Sequence, residues 1–132
     1  MPTVETTNIN FAGSLILQRE QFRDEVLNFA AGATVAKGTI LARVTATNKV
    51  VPFAVGGAGG AGTPVGVLSY EVSRADAGDV AIRMLVAGEV NRNRLIIAAD
   101  GHGNNITPAI LDQLRAYGIV PVDVQSLATH TV

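Results

Sequence analysis

The stretch Gly57-Ala58-Gly59-Gly60-Ala61-Gly62 puts Gly57, Gly59 and Gly62 at the spacing of a dinucleotide-binding turn. In such a turn, glycines let the backbone approach a pyrophosphate. The N-terminus of the following helix then supplies unpaired N–H groups and a positive dipole end. The chemistry therefore needs a strand before the glycines and a helix directly after them. A strand-like run, "KVVPFAV", precedes. The run after the glycines is "TPVGVLSYEV", where Val65, Val67, Leu68 and Tyr70 are β-formers and Gly66 interrupts any helix. Asp76 and Asp79 lie near the offset of a ribose-binding acid, but they flank Gly78 in the turn-like "ADAGD". There is no Gly-Lys-Ser/Thr after the loop, which removes a Walker loop as well. The six residues read as an exposed loop between two strands, poorly ordered relative to them, with its glycines supplying slack.

The remaining reactive side chains do not assemble into a constellation. Asp100, His102 and Asn104 alternate in "DGHGNN", but Asn105 and Leu111 stand where a calcium loop needs a glycine and a closing Glu. His130 has no local partner, and with no Cys in the chain two histidines 28 positions apart make a poor metal set. Ser14, Ser69, Ser73 and Ser126 have no nucleophile elbow and no neighbouring His. Glu89, in "AGEVNRN", reads as a turn residue accepting backbone N–H bonds. Arg92 and Arg94 read as a solvated face. "AGATVAKGTILARV" resembles the strands of lipoyl or biotinyl carriers, yet Lys49 sits in "TNKVV" and not in a modification motif. No catalytic, cofactor-binding or metal residue is expected.

The elements behind these groups are mostly short strands. The 132 residues suffice for one domain, 48% are hydrophobic and 16% charged, which is a globular balance. The formal net charge of −1, without like-charge blocks, gives no support for a nucleic-acid or anionic-membrane surface. No apolar run is long enough to span a bilayer, and "MPTVETTNIN" does not read as a signal peptide. Residues 1 to about 13 read as an arm, rich in Thr and Asn with little to bury. Residues 14–31 fit helix and strand equally: Phe22, Val26 and Phe29 could share a helical face, but "DEVLNFA" could be a strand. From Gly32 the period is two. Ile40, Ala42 and Val44 alternate with Thr39, Leu41 and Arg43. Leu68, Tyr70 and Val72 share a face. Val80, Ile82, Met84 and Val86 point in, and Ala81, Arg83 and Ala87 point out. Pro52 argues for an edge strand or a bulge. One helix, at about 107–117, is well signalled. Thr107 caps it, Pro108 suits its first turn, Ile110, Leu111, Leu114 and Tyr117 form its apolar face, and Gly118 ends it. The fold class is α+β, mainly β: a small sheet or barrel-like domain with one helix in its C-terminal half.

Taken in order, "GTILARVT", "KVVPF", the glycine loop, "TPVGVLSYEV", "DVAIRMLVAGEVNRNRL" and "ILDQLRAYGIVPV" resemble the head decoration (capsid stabilisation) proteins of tailed phages, the lambda decoration-protein-like family. The resemblance runs from about Arg23 to Val122. Its most specific pieces are "GTIL", "PVGVL", "GEVN" and "LRAYGIV", which single out Gly38, Pro64, Gly66, Gly88, Glu89, Asn91 and Gly118 as family-motif structural positions. The resemblance implies a non-enzymatic protein of the virion. It would bind the major capsid protein on the outer surface of the head as a homotrimer at three-fold positions, and hold the expanded shell against internal DNA pressure. It implies a capsid-binding arm over residues 1–22 and one decoration domain over 23–132, with residues 23–31 extended. The contacts of the arm would come from Pro2, Thr3, Val4, Glu5, Thr6, Thr7, Asn8, Ile9, Asn10 and Phe11. A polar, Thr-rich arm suits strand addition, which asks little of side chains. The same resemblance implies no cofactor, nucleic-acid or membrane partner. A nucleotide-binding or carrier-type β domain, or another virion module, is the alternative reading.

Overall fold

The computed structural model describes residues 14–29 and 32–123. The elements in chain order are β1 (Ile16–Phe29), β2 (Thr34–Val35), β3 (Ile40–Arg43), β4 (Val50–Pro52), β5 (Pro64–Leu68), β6 (Val72–Ser73), β7 (Gly78–Asn91), α1 (Pro108–Tyr117) and β8 (Ile119–Val122). A 3-10 turn over Arg92–Arg94 comes directly after β7. The main sheet runs β1-β4-β3-β5-β7-β8, and β1 also pairs with β7. Five strands thus close into a barrel, with β8 added outside on β7. Closure removes the free edges that an open sheet of this size would expose. β2 and β6 form a separate two-stranded pair. The molecule is α+β, mainly β, as the sequence pattern implied.

Of the segment that fitted helix and strand equally, Ile16–Phe29 is strand. β1 is antiparallel to β7 from Ile16↔Val90 to Phe29↔Gly78, with register shifts around Gln18 and Gln21. Arg19 has φ +58° among these shifts, the mark of a bulged and twisted strand. The even-numbered Phe22 and Val26 are exposed on the outer face of the ribbon. Leu27 is fully buried and Glu25 points inward. The helical reading of Phe22 and Val26 arose because spacings of four satisfy both periods.

Two apolar clusters hold the fold. Leu27, Leu41, Val50, Leu68, Ile82 and Met84 fill the barrel. Ile40, Ala42, Val67 and Leu85 point out of it and pack beneath Ile110, Leu111 and Leu114 of α1, with Leu95, Ile97 and Ile119 alongside. Burial of each such side chain stabilises the fold by about 1.5–3 kcal/mol. This double burial corrects the simple alternation read for β3, where Ile40, Leu41 and Ala42 are all buried. It also adds Leu85 to the buried set of β7, because the helix layer covers that part of the outer face.

The helix ends as its local signals require. Thr107 Oγ1 accepts the Ile110 N–H at 3.3 Å, and the Gly118 N–H donates to the carbonyls of Leu114 and Arg115. We expect Thr107→Ala to cost about 1 kcal/mol in chemical denaturation, with an unchanged denaturant slope. Tyr117 departs from its expected place on the apolar face. It is 40% exposed and stands at the rim of the barrel beside Arg43 and Glu25. Pro52 is the last residue of β4, past the single β1–β4 pair Leu27↔Val50, so its missing donor interrupts no ladder on that side.

Candidate functional site

The glycine loop is exposed at Ala54, Val55, Gly56, Ala58 and Gly59, but slack is the wrong description. Backbone bonds fold it back on itself and onto the end of β3: Thr45 N–H to Gly59 O at 2.9 Å, Ala54 N–H to Ala61 O at 3.0 Å, and Thr63 N–H to Gly60 O at 3.1 Å. Gly62 packs so closely on Gly57 that a Cβ there would lie 2.6 Å from the Gly57 carbonyl oxygen. β5 begins two residues later, with no helix between, so a pyrophosphate would find no helix N-terminus there.

The family-motif positions cluster around close backbone approaches. A methyl on Gly38 would meet the Arg94 carbonyl, and one on Gly66 would meet the Met84 side chain. Pro64 starts β5, where it pairs with Ala42. A Cβ on Gly88 would stand 2.9 Å from the Glu20 Cα, on the bulged part of β1. "AGEVNRN" is therefore not a turn from its start: β7 continues through Gly88, Glu89 and Asn91, and the glycine marks a crowded strand crossing. The turn comes only at Arg92–Arg94. Glu89 accepts a hydrogen bond from the side chain of Gln18, across the ribbon. Asn91 is fully buried. Its Oδ1 caps the 3-10 turn by accepting the Asn93 N–H at 3.0 Å, and its backbone N–H donates to Leu15 O at 2.7 Å. Gly118 closes α1 and leads into β8, which runs parallel to β7 from Gly88↔Ile119 to Asn91↔Val122. Gly88, Glu89, Asn91 and Gly118 thus lie together where the end of β7 meets the first part of β1 and β8.

The other candidates have structural partners. Lys49 Nζ is 2.7 Å from Asp79 Oδ2, and Asn28 donates to the same carboxylate at 3.1 Å. The Lys49 hydrogen bond holds the Asp79 carboxyl below its ordinary value, and the one from Asn28 adds to it. Ser69 Oγ donates to Arg83 O at 2.7 Å, and the Arg83 N–H donates to the Tyr70 hydroxyl at 3.3 Å. His102 Nδ1 accepts the Asn104 N–H at 3.1 Å in a surface turn, and Asp100 accepts from Asn105. Among the described residues, no group of three or more His, Asp or Glu is placed to hold a metal ion. Residues 2–11 lie outside the described residues, as does His130.

A feature that the sequence did not suggest closes one mouth of the barrel. Arg43, on the inward face of β3, makes a bidentate pair with Glu25 of β1, at 2.9 and 2.5 Å, and donates to Asn48 O at 2.9 Å. The Glu25 side chain is 11% exposed and that of Arg43 22%. The Arg43 hydrogen bond holds the Glu25 carboxyl below its ordinary 4.5, partial burial opposes it, and the charges of Arg43 and Arg23 add to it. The pair spans the seam where β1 and β4 share one register pair.

The geometry defines a small closed β-barrel with one helix packed on it and polar groups engaged in structural bonds. A family model described as bacteriophage lambda head decoration protein D matches residues 6–119. The chain belongs to that family and is a phage head decoration protein, a structural component associated with the virion capsid. The match begins well before Arg23, where the resemblance of motifs set in. No curated protein matches the chain. Membership of a structural family points to a non-enzymatic role.

Proposed function

We propose that this protein is a cement for the expanded head. It binds the major capsid protein on the outer surface as a homotrimer at three-fold positions, and holds neighbouring capsid subunits together against the pressure of packaged DNA. The observation that carries the reading is a family match that takes in part of the N-terminal segment together with the whole barrel and helix. The arm over residues 2–11 attaches by adding to a capsid strand. Its root supports this: Leu15 is buried and held by Asn91, so a docked arm pulls on a fixed point. β1 is already paired from Ile16, which supports an arm that lies before that residue. The trimer contact has a candidate surface on the outer face of the β1–β7 ribbon. Phe22 and Val26 are exposed there, Arg83 stacks 5.3 Å over the Phe22 ring, and Tyr70 adjoins Arg83. Three arms on one trimer multiply a modest single contact.

Deletion of residues 2–13 is expected to lower binding to expanded shells by about tenfold or more while the melting temperature of the barrel stays unchanged. Undiminished binding would count against the arm. Light scattering tests the assembly: only monomer at concentrations that saturate shells would exclude a preformed trimer.

A further inference from the structure

The closed barrel has one weak joint. β1 is joined to β4 by a single backbone register pair, Leu27↔Val50. The ladders on either side are longer. β1 stays on β7 from Ile16↔Val90 to Phe29↔Gly78, and β4 stays on β3 through Leu41↔Pro52, Ala42↔Val51 and Arg43↔Val50. The β5–β7 joint is also short, at Val67↔Leu85 and Leu68↔Met84, but Val67 and Leu85 lie in the cluster beneath α1. Leu27 and Val50 belong to the other cluster, inside the barrel. Side chains reinforce this seam, and they are sorted by charge. The cations stand on the β3–β4 side: Arg43 is the register partner of Val50, and Lys49 precedes Val50 in the chain. The anions stand on the β1–β7 side: Glu25 in β1 and Asp79 in β7. Arg43 reaches across to Glu25 with two hydrogen bonds, and Lys49 Nζ reaches Asp79 at 2.7 Å. Asp79 is the register partner of Asn28, whose side chain donates to it from β1.

We infer that this seam is a conformational latch, closed by the charges of Glu25 and Asp79 and opened, short of unfolding, when those carboxylates are protonated. Opening parts the β1–β7 ribbon from the β3–β4 hairpin. Both ladders survive it, and so does the cluster beneath α1, which lies on the other face of the sheet. What is lost is one register pair and the packing of Leu27 and Val50 inside the barrel. Openings confined to the part of a fold with the fewest backbone bonds cost less than global unfolding. The surroundings leave each carboxylate dependent on its cation. Glu25 is faced by Arg43 from β3, by Tyr117 at the end of α1, and by Arg23 and Asp24 on its own strand. Arg23 approaches it at 3.8 Å, but from β1 itself, so that contact does not span the seam. Asp79 is faced by Lys49 and Asn28, and by Arg74, which donates to its backbone carbonyl at 3.0 Å. A protonated carboxyl loses the charge-assisted bond to the cation across the seam. Both carboxyls are held below their ordinary values, Glu25 by the Arg43 hydrogen bond and Asp79 by the Lys49 hydrogen bond. Both latches are therefore full above about pH 4.5 and weaken as pH falls through the folded values.

The test is native-state hydrogen exchange of the full chain by NMR, with each rate corrected for the intrinsic pH dependence of amide exchange. The amides around the Leu27↔Val50 pair report the seam, and those of Val67 and Leu85 report the joint beneath the helix. As pH is lowered from about 7 to about 4, protection at the seam should fall about tenfold or more relative to the reference amides. Glu25→Gln and Asp79→Asn keep the shape of each side chain and remove its charge. Both should lower the same ratio at neutral pH, Glu25→Gln by more, because its pair is the more buried. Asp112→Asn, which breaks an exposed pair with Arg115 within α1, should leave the ratio unchanged. Parallel loss of protection at both joints overturns the latch, because acid then acts through global unfolding alone. An unchanged ratio in both seam variants overturns it as well, and so does an equal fall in Asp112→Asn. If Glu25→Gln does not fold, Asp79→Asn, at a more exposed site, decides by itself.

Discussion

Arg43→Ala is expected to destabilise the protein by about 2–4 kcal/mol, the range for stranding a largely buried charge that loses its hydrogen-bonded partner. Glu25 would keep a carboxylate 11% exposed at the barrel mouth with its bidentate donor removed. The loss falls where the barrel has least else to hold it, because the β1–β4 seam has one register pair and Arg43 also ties down Asn48 O. The pH dependence gives the prediction a second readout. The folded-state value of Glu25 is depressed, so its contribution is fully present above about pH 4.5 and is lost as pH falls through the folded value. Wild-type stability should therefore decline below that pH, and the decline should be shallower in Arg43→Ala. Some slope survives, since Asp79 is also depressed by Lys49 and Asn28. Urea denaturation across the acid range measures both effects. If Arg43→Ala loses less than about 0.5 kcal/mol, the pair behaves as an ordinary surface ion pair. The double variant Arg43→Met/Glu25→Leu should recover much of the loss, because it leaves no stranded charge.

The elements legible in the sequence were those whose determinants are local. The cap at Thr107, the proline after it, the spacing of Ile110, Leu111 and Leu114, and Gly118 all lie within twelve residues, and each agrees with the others. Ile82 and Met84 in β7 were legible because they alternate with Ala81 and Arg83, which face solvent. The misread segments are those set by partners far along the chain. β1 has Phe22 and Val26 on its exposed face and Glu25 on its inward face, the reverse of what a hydrophobic pattern implies, because Arg43 satisfies the carboxylate from inside the barrel. Leu85 is buried because α1, more than twenty residues later, covers it. Glu89 read as a turn residue, but it lies within β7, next to Gly88, where β1 bulges across the strand.

The sharpest test of the barrel's long-range packing lies in the glycine loop, and there Gly60→Ala should cost about 2–5 kcal/mol. Gly60 has φ +98°, a left-handed conformation that costs an L-residue about 1–2 kcal/mol. A methyl there would also be driven into the Arg43 carbonyl oxygen and would stand 2.9 Å from Thr45 Oγ1. Arg43 ends β3 and Thr45 lies in the turn directly after it, so the loop cannot yield without lifting off the strand end or shifting the residue that pairs with Glu25. Overpacking of this kind adds about 1–3 kcal/mol. Gly59→Ala separates the two contributions: its φ is +65°, but nothing lies within 4 Å of an added methyl, so only the backbone cost of about 1–2 kcal/mol applies. A hinge made of interchangeable glycines would give the two variants equal stability. A loop docked on β3 gives a clear excess for Gly60→Ala, and faster amide exchange at Thr45, whose N–H is bonded to Gly59 O. Gly60 is also not one of the three fingerprint positions. The glycine with the most to lose is therefore one that a dinucleotide turn would leave free to vary, and the conformation it secures holds the protein's own backbone, with no ligand in that role.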